Sequence, residues 1–333
     1  MAQVSFAGAQ QPINIVDQNL VKFGTPDALQ PFAWSWLTPT GHDVDIVGTG
    51  LAYDPAGKAV SGKVTELQID YGNNDFLHPD ILITGLNVDA FWLDNSASTF
   101  WNVVLAGDDL IDATGFAKPG VQQGSNTILL GDDIDSRTGT SRDVVTDRGG
   151  NDEIHFGDAR YFAMGDVYNV AGDLAAGLHA VYQGGNDRLF AVATDEEEQL
   201  MGDAYTVGVN AVLHGGDDIL QFAMQSAVKF IAIGDAFRVN GGGSDPSLVD
   251  GGNDTLQAFA GSTADIVGDV AYVDYSARVV GGNDTIIDSE KGNRLAGDVL
   301  QVGGTSFEII GGADEISGYG GDDVFAGDVL VSS

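Results

Sequence analysis

The residues of this chain best equipped for chemistry are aspartates that follow glycine. In Gly311–Asp328, which reads GGADEISGYGGDDVFAGD, Asp314 and Asp323 stand nine residues apart. Each has a large apolar residue two positions later, Ile316 and Phe325. The segment from Gly318 to Ala326 fits the nonapeptide pattern G-G-x-G-x-D-x-U-x, with U apolar, and departs from it only at Tyr319. Such a unit can ligate a hard cation. The aspartate supplies carboxylate oxygens, the glycines allow a tight turn with inward carbonyls, and the apolar residue starts a short core-facing strand.

Two related signatures spread this chemistry along the chain. Gly-Gly-x-Asp turns begin at Gly149, Gly184, Gly215, Gly251, Gly281 and Gly311, at spacings of 35, 31, 36, 30 and 30 residues. They supply Asp152, Asp187, Asp218, Asp254, Asp284 and Asp314. Between them an apolar residue followed by Gly-Asp supplies Asp166, Asp203, Asp235, Asp269, Asp298 and Asp328. Looser opening turns at Ala106–Ile111 and Leu130–Ile134 add Asp109 and Asp133, and the nonapeptide adds Asp323. From Asp254 to Asp328 the interleaved intervals are 15, 15, 14, 16 and 14, as one degenerate frame with a half-coil of about fifteen residues would give. In Asn293-Arg294-Leu295-Ala296-Gly297-Asp298, Asn293 takes the place that Asp323 holds in the last repeat.

A lone Gly-Asp turn needs no metal, because both residues are good turn formers. About a dozen in register stack carboxylates that repel one another unless cations intervene. Calcium accepts six to eight oxygens from carboxylates, carbonyls and water, whereas magnesium demands stricter octahedral geometry. Zinc wants clustered His or Cys, and the histidines (His42, His78, His155, His179 and His214) are scattered. Calcium, as several ions, is the expected cofactor.

Parallel coils would position these aspartates. Runs such as Thr285-Ile286-Ile287, Val299–Val302 and Phe307–Ile310 are strand-length and rich in β-branched residues. Short strands alternating with Gly/Asp turns predict an all-β chain, a right-handed parallel β-roll or β-solenoid over 106–333. Residues 1–105 hold all four tryptophans and read as a small mixed β/α domain capping the first coil. There, Asp43 to Tyr53, a turn at Asp54–Lys58 and the run Lys63–Ile69 predict a hairpin. Asp80–Thr84 predicts a third strand ended by Gly85, while Asn87–Trp92 and Ser96–Leu105 read as helical. The acidic run Asp195–Glu198 and the segment Gly241–Pro246 read as solvated bulges on a coil edge.

Composition narrows the partners. Lys and Arg number 14 against 49 Asp and Glu, a net charge of −35. Disorder is disfavoured by 43% hydrophobic and 9% aromatic residues. No basic patch exists to neutralise phosphates, so neither nucleic acid nor an anionic membrane surface is expected as partner. With no cysteine, disulfides and thiolate metal sites are excluded. The N-terminal MAQVSFAGAQQPINIV lacks the basic and apolar regions of a signal peptide, and no apolar run reaches transmembrane length.

These turns, from about residue 106 to 328, resemble the RTX (repeats-in-toxin) calcium-binding β-roll proteins of bacteria. The resemblance implies secretion through a one-step type I exporter and folding outside the cell where calcium is plentiful. It also implies that Asp152, Asp187, Asp218, Asp254, Asp284, Asp314 and Asp323 ligate ions together with turn carbonyls. Here Val279-Val280 and Ile309-Ile310 stand where that family's pattern has its first glycines, which lengthens the strands. The expected function is a non-enzymatic secreted or cell-surface structural or adhesive module, with copies of itself or a cell-surface glycan as partner. The alternative is an extracellular polysaccharide-active enzyme of lyase or epimerase type, or its accessory module. Against it stand the few, dispersed basic residues and the absence of G-x-S-x-G and H-E-x-x-H motifs.

Overall fold

A computed structural model of the protein describes residues 2–5, 25–38, 41, 43–70, 81–90, 104, 109–113, 127–130, 136–137, 145–156, 161–172, 179–192, 198–223, 230–242, 246–259, 263–289, 291–303 and 306–332. Asp133, most of the expected Ser96–Leu105 helix, and most of the acidic run 195–198 lie outside them.

Short β-branched runs separated by Gly/Asp corners form coils of four strands. One thirty-residue coil contains Thr285–Ile287, Arg294–Ala296, Val299–Val302 and Phe307–Ile310. Each strand pairs in parallel with its counterpart one coil away, as in Thr255↔Thr285↔Glu315 and Val299↔Val329. Four parallel sheets result, named here I to IV in the order in which a coil visits them. The chain is thus a parallel β-solenoid, and the 35-, 31-, 36-, 30- and 30-residue spacings of its Gly-Gly turns are the lengths of its coils.

Inward side chains divide into two cores. Sheets I and II enclose one that includes Leu189, Leu200, Leu220, Phe222, Phe230, Ile266, Ile286 and Leu295. Sheets III and IV enclose the other, with Val207, Leu213, Val239, Val249, Val273 and Val279. A third cluster, Met164, Met201, Ile233, Val267, Ala271 and Leu300, lies where the outer faces of II and III meet. The cross-section is therefore pinched between two lobes. Along the re-entrant face Tyr168, Tyr205 and Phe237 stack at centroid separations of 5.0 Å each, with Tyr272 edge-on beyond.

The N-terminal residues continue sheet I. Thr25–Gln30, Ala33–Leu37, Asp43–Tyr53, Ala59–Asp70 and Ile81–Asp89 form an antiparallel meander. Gln3–Ser5 joins it to the solenoid, antiparallel to Ile81–Asp89 and parallel to Leu110–Ala113. The expected hairpin forms, with Asp54 Oδ1 accepting from the Ala56 and Lys58 amides in its turn. Trp34 and Trp36 are buried in the meander, in an apolar cluster continuous with that of sheets I and II.

One expectation is corrected. Asn87–Asp89 belong to the strand Ile81–Asp89 and not to a helix. Gly85 adopts φ +77°, a left-handed conformation that glycine takes without strain. The residue inserted there reverses the alternation, so Ile81 and Ile83 face the core before it and Leu86 and Val88 after it. A reversed alternation reads as a strand end. Among the described residues no helix is long and apolar enough to cross a membrane.

Candidate metal centre

The two Asp signatures occupy two different corners of the coil, and both corners turn inward. Gly-Gly-x-Asp forms the corner from sheet IV to sheet I, and the apolar-Gly-Asp corner leads from II to III. They meet at the waist between the two cores.

At the first corner the aspartates form a continuous file. The Asp109 amide donates to Asp152 Oδ1 at 2.6 Å, and Asp152 to Asp187 at 2.6 Å. Asp187 donates to Asp218 and Asp218 to Asp254, both at 2.7 Å. The file ends with Asp254 donating to Asp284 at 2.8 Å and Asp284 to Asp314 at 3.1 Å. At its other end the Ala2 amide donates to Asp109. Beside it on the solvent side, Asn151, Asn186, Asp217, Asn253 and Asn283 accept the corresponding amides of the following coil. The x of Gly-Gly-x-Asp thus builds an outer ladder while the Asp builds an inner one.

The second corner's aspartates reach across the waist. Asp166 accepts the Gly185 amide at 2.9 Å, Asp235 that of Gly252 at 3.1 Å, Asp269 that of Gly282 at 2.9 Å and Asp298 that of Gly312 at 2.8 Å. Asp203 faces Gly216 at 3.2 Å in the same way. Carboxylate oxygens of Asp152, Asp166 and Asp187 lie within 4.8 Å of one another, as do those of Asp187, Asp203 and Asp218. Each triad takes two members from successive coils of one file and one from the other.

The glycines make room for these carboxylates. A Cβ on Gly184 would stand 1.8 Å from Asp203 Oδ1, and one on Gly202 would stand 1.7 Å from Asp218 Oδ2. The second glycine of each pair lies against the preceding coil, 1.4 Å from Cβ to the Gly185 carbonyl oxygen at Gly216. These are close-approach glycines. The tight turn read from the sequence has a left-handed residue at Gly321 of the nonapeptide, with φ +95°.

Burial and mutual proximity set the electrostatics. Asp166, Asp187, Asp203, Asp235, Asp269 and Asp298 are fully buried, and Asp109, Asp152, Asp218, Asp254 and Asp284 nearly so. Desolvation first, then neighbouring carboxylates, pushes Asp203, Asp218, Asp254 and Asp269 well above the usual range. Burial raises Asp235 to about 6, Asp298 to about 6 and Asp284 to about 8, against hydrogen bonds that lower each. The Oδ2 atoms of Asp218, Asp254 and Asp284 are buried and accept no hydrogen bond. A buried carboxylate oxygen without a donor requires a proton or a cation. The files are therefore chemically suited to hard divalent ions.

The remaining expected residues are arranged differently. Asp314 is half-buried at the last coil of the first file, and Asp328 is exposed at the corresponding place in the second. Asp323 belongs to neither file. It sits at the corner from sheet I to sheet II, where its Oδ1 accepts the Asn293 amide at 3.0 Å. Sequence reasoning placed Asn293 in the matching position but missed Asp288, which is buried beside it. Comparisons with known protein families, curated proteins and solved structures find no match to this chain.

Proposed function

We propose that the protein is a calcium-binding β-solenoid, stapled internally by several ions, that acts outside the cell or on its surface as a structural, adhesive or self-assembling element. The observation carrying this reading is the double file of buried aspartates, in which the Oδ2 atoms of Asp218, Asp254 and Asp284 meet no donor. Asp152, Asp166, Asp187, Asp203 and Asp218 would hold the first ions, and Asp235, Asp254, Asp269, Asp284 and Asp298 continue the same files. The ion's role is charge neutralisation between coils. About ten divalent ions would reduce a net charge of −35 to about −15. Calcium-dependent extracellular modules bind at roughly 10⁻⁴–10⁻³ M, so such a chain would complete its folding after export. The position of the clustered carboxylates, between two apolar cores, supports a role in the packing of coils over a catalytic one.

The test is circular dichroism of the full chain in chelator, followed by titration with millimolar calcium. The β-signal is expected to rise cooperatively with calcium. A spectrum unchanged throughout would overturn the reading. Sedimentation with and without calcium addresses the larger role: ordered assemblies support it, and a monodisperse monomer that cleaves glycans replaces it with the enzymatic alternative.

A further inference from the structure

Away from the axial files, the corner between sheets I and II holds a group that the repeat pattern does not explain. Asp288 directly follows the strand Thr285–Ile287 and is 2% exposed. Its Oδ1 accepts the Ser289 amide at 2.5 Å and also the Asn293 side-chain amide. Asn293 is itself fixed, its Oδ1 accepting the Ala264 amide at 2.5 Å. Asp288 Oδ2 accepts nothing, and Ser289 Oγ, in a residue 5% exposed, also has no hydrogen-bond partner.

The next coil supplies a second carboxylate. Ile287 pairs with Ser317, so Gly318 is the counterpart of Asp288 one coil on. Because Gly318 has no side chain, Asp323 Oδ2 occupies the space, 3.0 Å from where a Cβ would stand. The Asn293 backbone amide donates to Asp323 Oδ1 at 3.0 Å while its side-chain amide donates to Asp288 Oδ1, so the two carboxyl groups flank one residue and each charge acts on the other. One residue, Asn293, thus grips both carboxyl groups, and the buried Ser289 hydroxyl follows Asp288 directly in the turn.

We infer that Asp288, Ser289 Oγ and Asp323 form a separate corner site for one hard divalent cation, of calcium type, that ties the 288–293 turn to the 318–323 turn. The site uses none of the atoms of the axial files. Asn293 positions both carboxylates without ligating, which explains an amide where the last repeat has Asp323. Half-burial of Asp323 leaves one side open for water to complete the coordination.

The experiment is a count of calcium bound per full-length chain by equilibrium dialysis and elemental analysis, with fold monitored by circular dichroism. Asp288→Asn should lose one ion and keep the β-signal. Ser289→Ala should keep the count and weaken one class of site about fivefold, the equivalent of about 1 kcal/mol. Asp235→Asn, in the axial files, should leave the corner ion bound. As a second readout, terbium bound at the corner should be sensitised by Tyr319, adjacent to Gly318, and that signal should vanish in both Tyr319→Phe and Asp288→Asn. If Asp288→Asn binds as many ions as the parent chain, or if it retains the Tyr319-dependent terbium signal, the inference is overturned and the pair shares a proton instead. If the parent chain binds a single ion and Asp288→Asn none, the corner site stands and the axial reading fails.

Discussion

At Gly268 a Cβ would stand 1.8 Å from Asp284 Oδ2 and 1.9 Å from the Gly297 carbonyl oxygen. Neither neighbour is the flexible end of a long side chain, so the coil itself must shift. Gly268→Ala is therefore expected to destabilise the protein by about 3 kcal/mol or more, read from the denaturation midpoint in saturating calcium. Gly327 is the internal control. It precedes an aspartate in the same motif, yet nothing lies within 4 Å of its Cβ position. Gly327→Ala should change stability by no more than about 0.5 kcal/mol. Equal losses at both positions would show that turn conformation, and not carboxylate packing, selects glycine. The motif announces both glycines equally; only the position of the next coil separates them.

At the scale of the strands, what the sequence showed was periodicity. The strands Thr285–Ile287, Val299–Val302 and Phe307–Ile310 form where β-branched composition and length placed them. The second residue of each sheet III strand was less legible. Tyr168, Tyr205 and Phe237 lie on the outer face, and they stack because in-register parallel pairing sets each ring against its counterpart one coil away. Their rings cover each other's faces, so the ladder stabilises coil stacking and does not offer a platform. Tyr205→Ala removes two stacked contacts and is expected to cost about 2 kcal/mol, checked by thermal melting with calcium present. No loss would mean that the ladder contributes nothing to register. The Gly85 bulge in Ile81–Asp89 was hidden for a different reason. A single left-handed residue reverses the side-chain phase, and periodicity cannot tell a reversed strand from a finished one.

For the whole molecule the buried files link stability to pH. Carboxylates in an unfolded chain titrate near about 3.9, whereas burial raises Asp235 and Asp298 to about 6 and Asp284 to about 8. Without metal, the folded chain therefore binds more protons than the unfolded one between those values. The stability these three groups contribute is fully present below about pH 4 and is lost as pH rises through 6 to 8. In chelator, the β-signal is expected to be larger at pH 5 than at pH 8, and saturating calcium should remove most of the difference. Greater metal-free stability at pH 8 would contradict the buried placement of the files. The net charge of −35 acts in the same direction through self-repulsion.

The sequence by itself determined the material of this protein. Spacing of Gly-Asp corners sets coil length, alternating apolar residues set which face is inward, and −35 charges with aspartates in register call for cations. These are local or additive properties, and a one-dimensional pattern carries them. Tertiary structure decided which corners meet. Asp152 and Asp187 are 35 residues apart, and Asp166 belongs to a different corner, yet their oxygens converge within 4.8 Å because the waist brings two corners into one interior. It also decided that Asp323, so similar in motif to Asp314, meets Asn293 at another corner, the residue that also holds Asp288. Convergence depends on how coils stack and pinch, a property of packing that no single repeat contains.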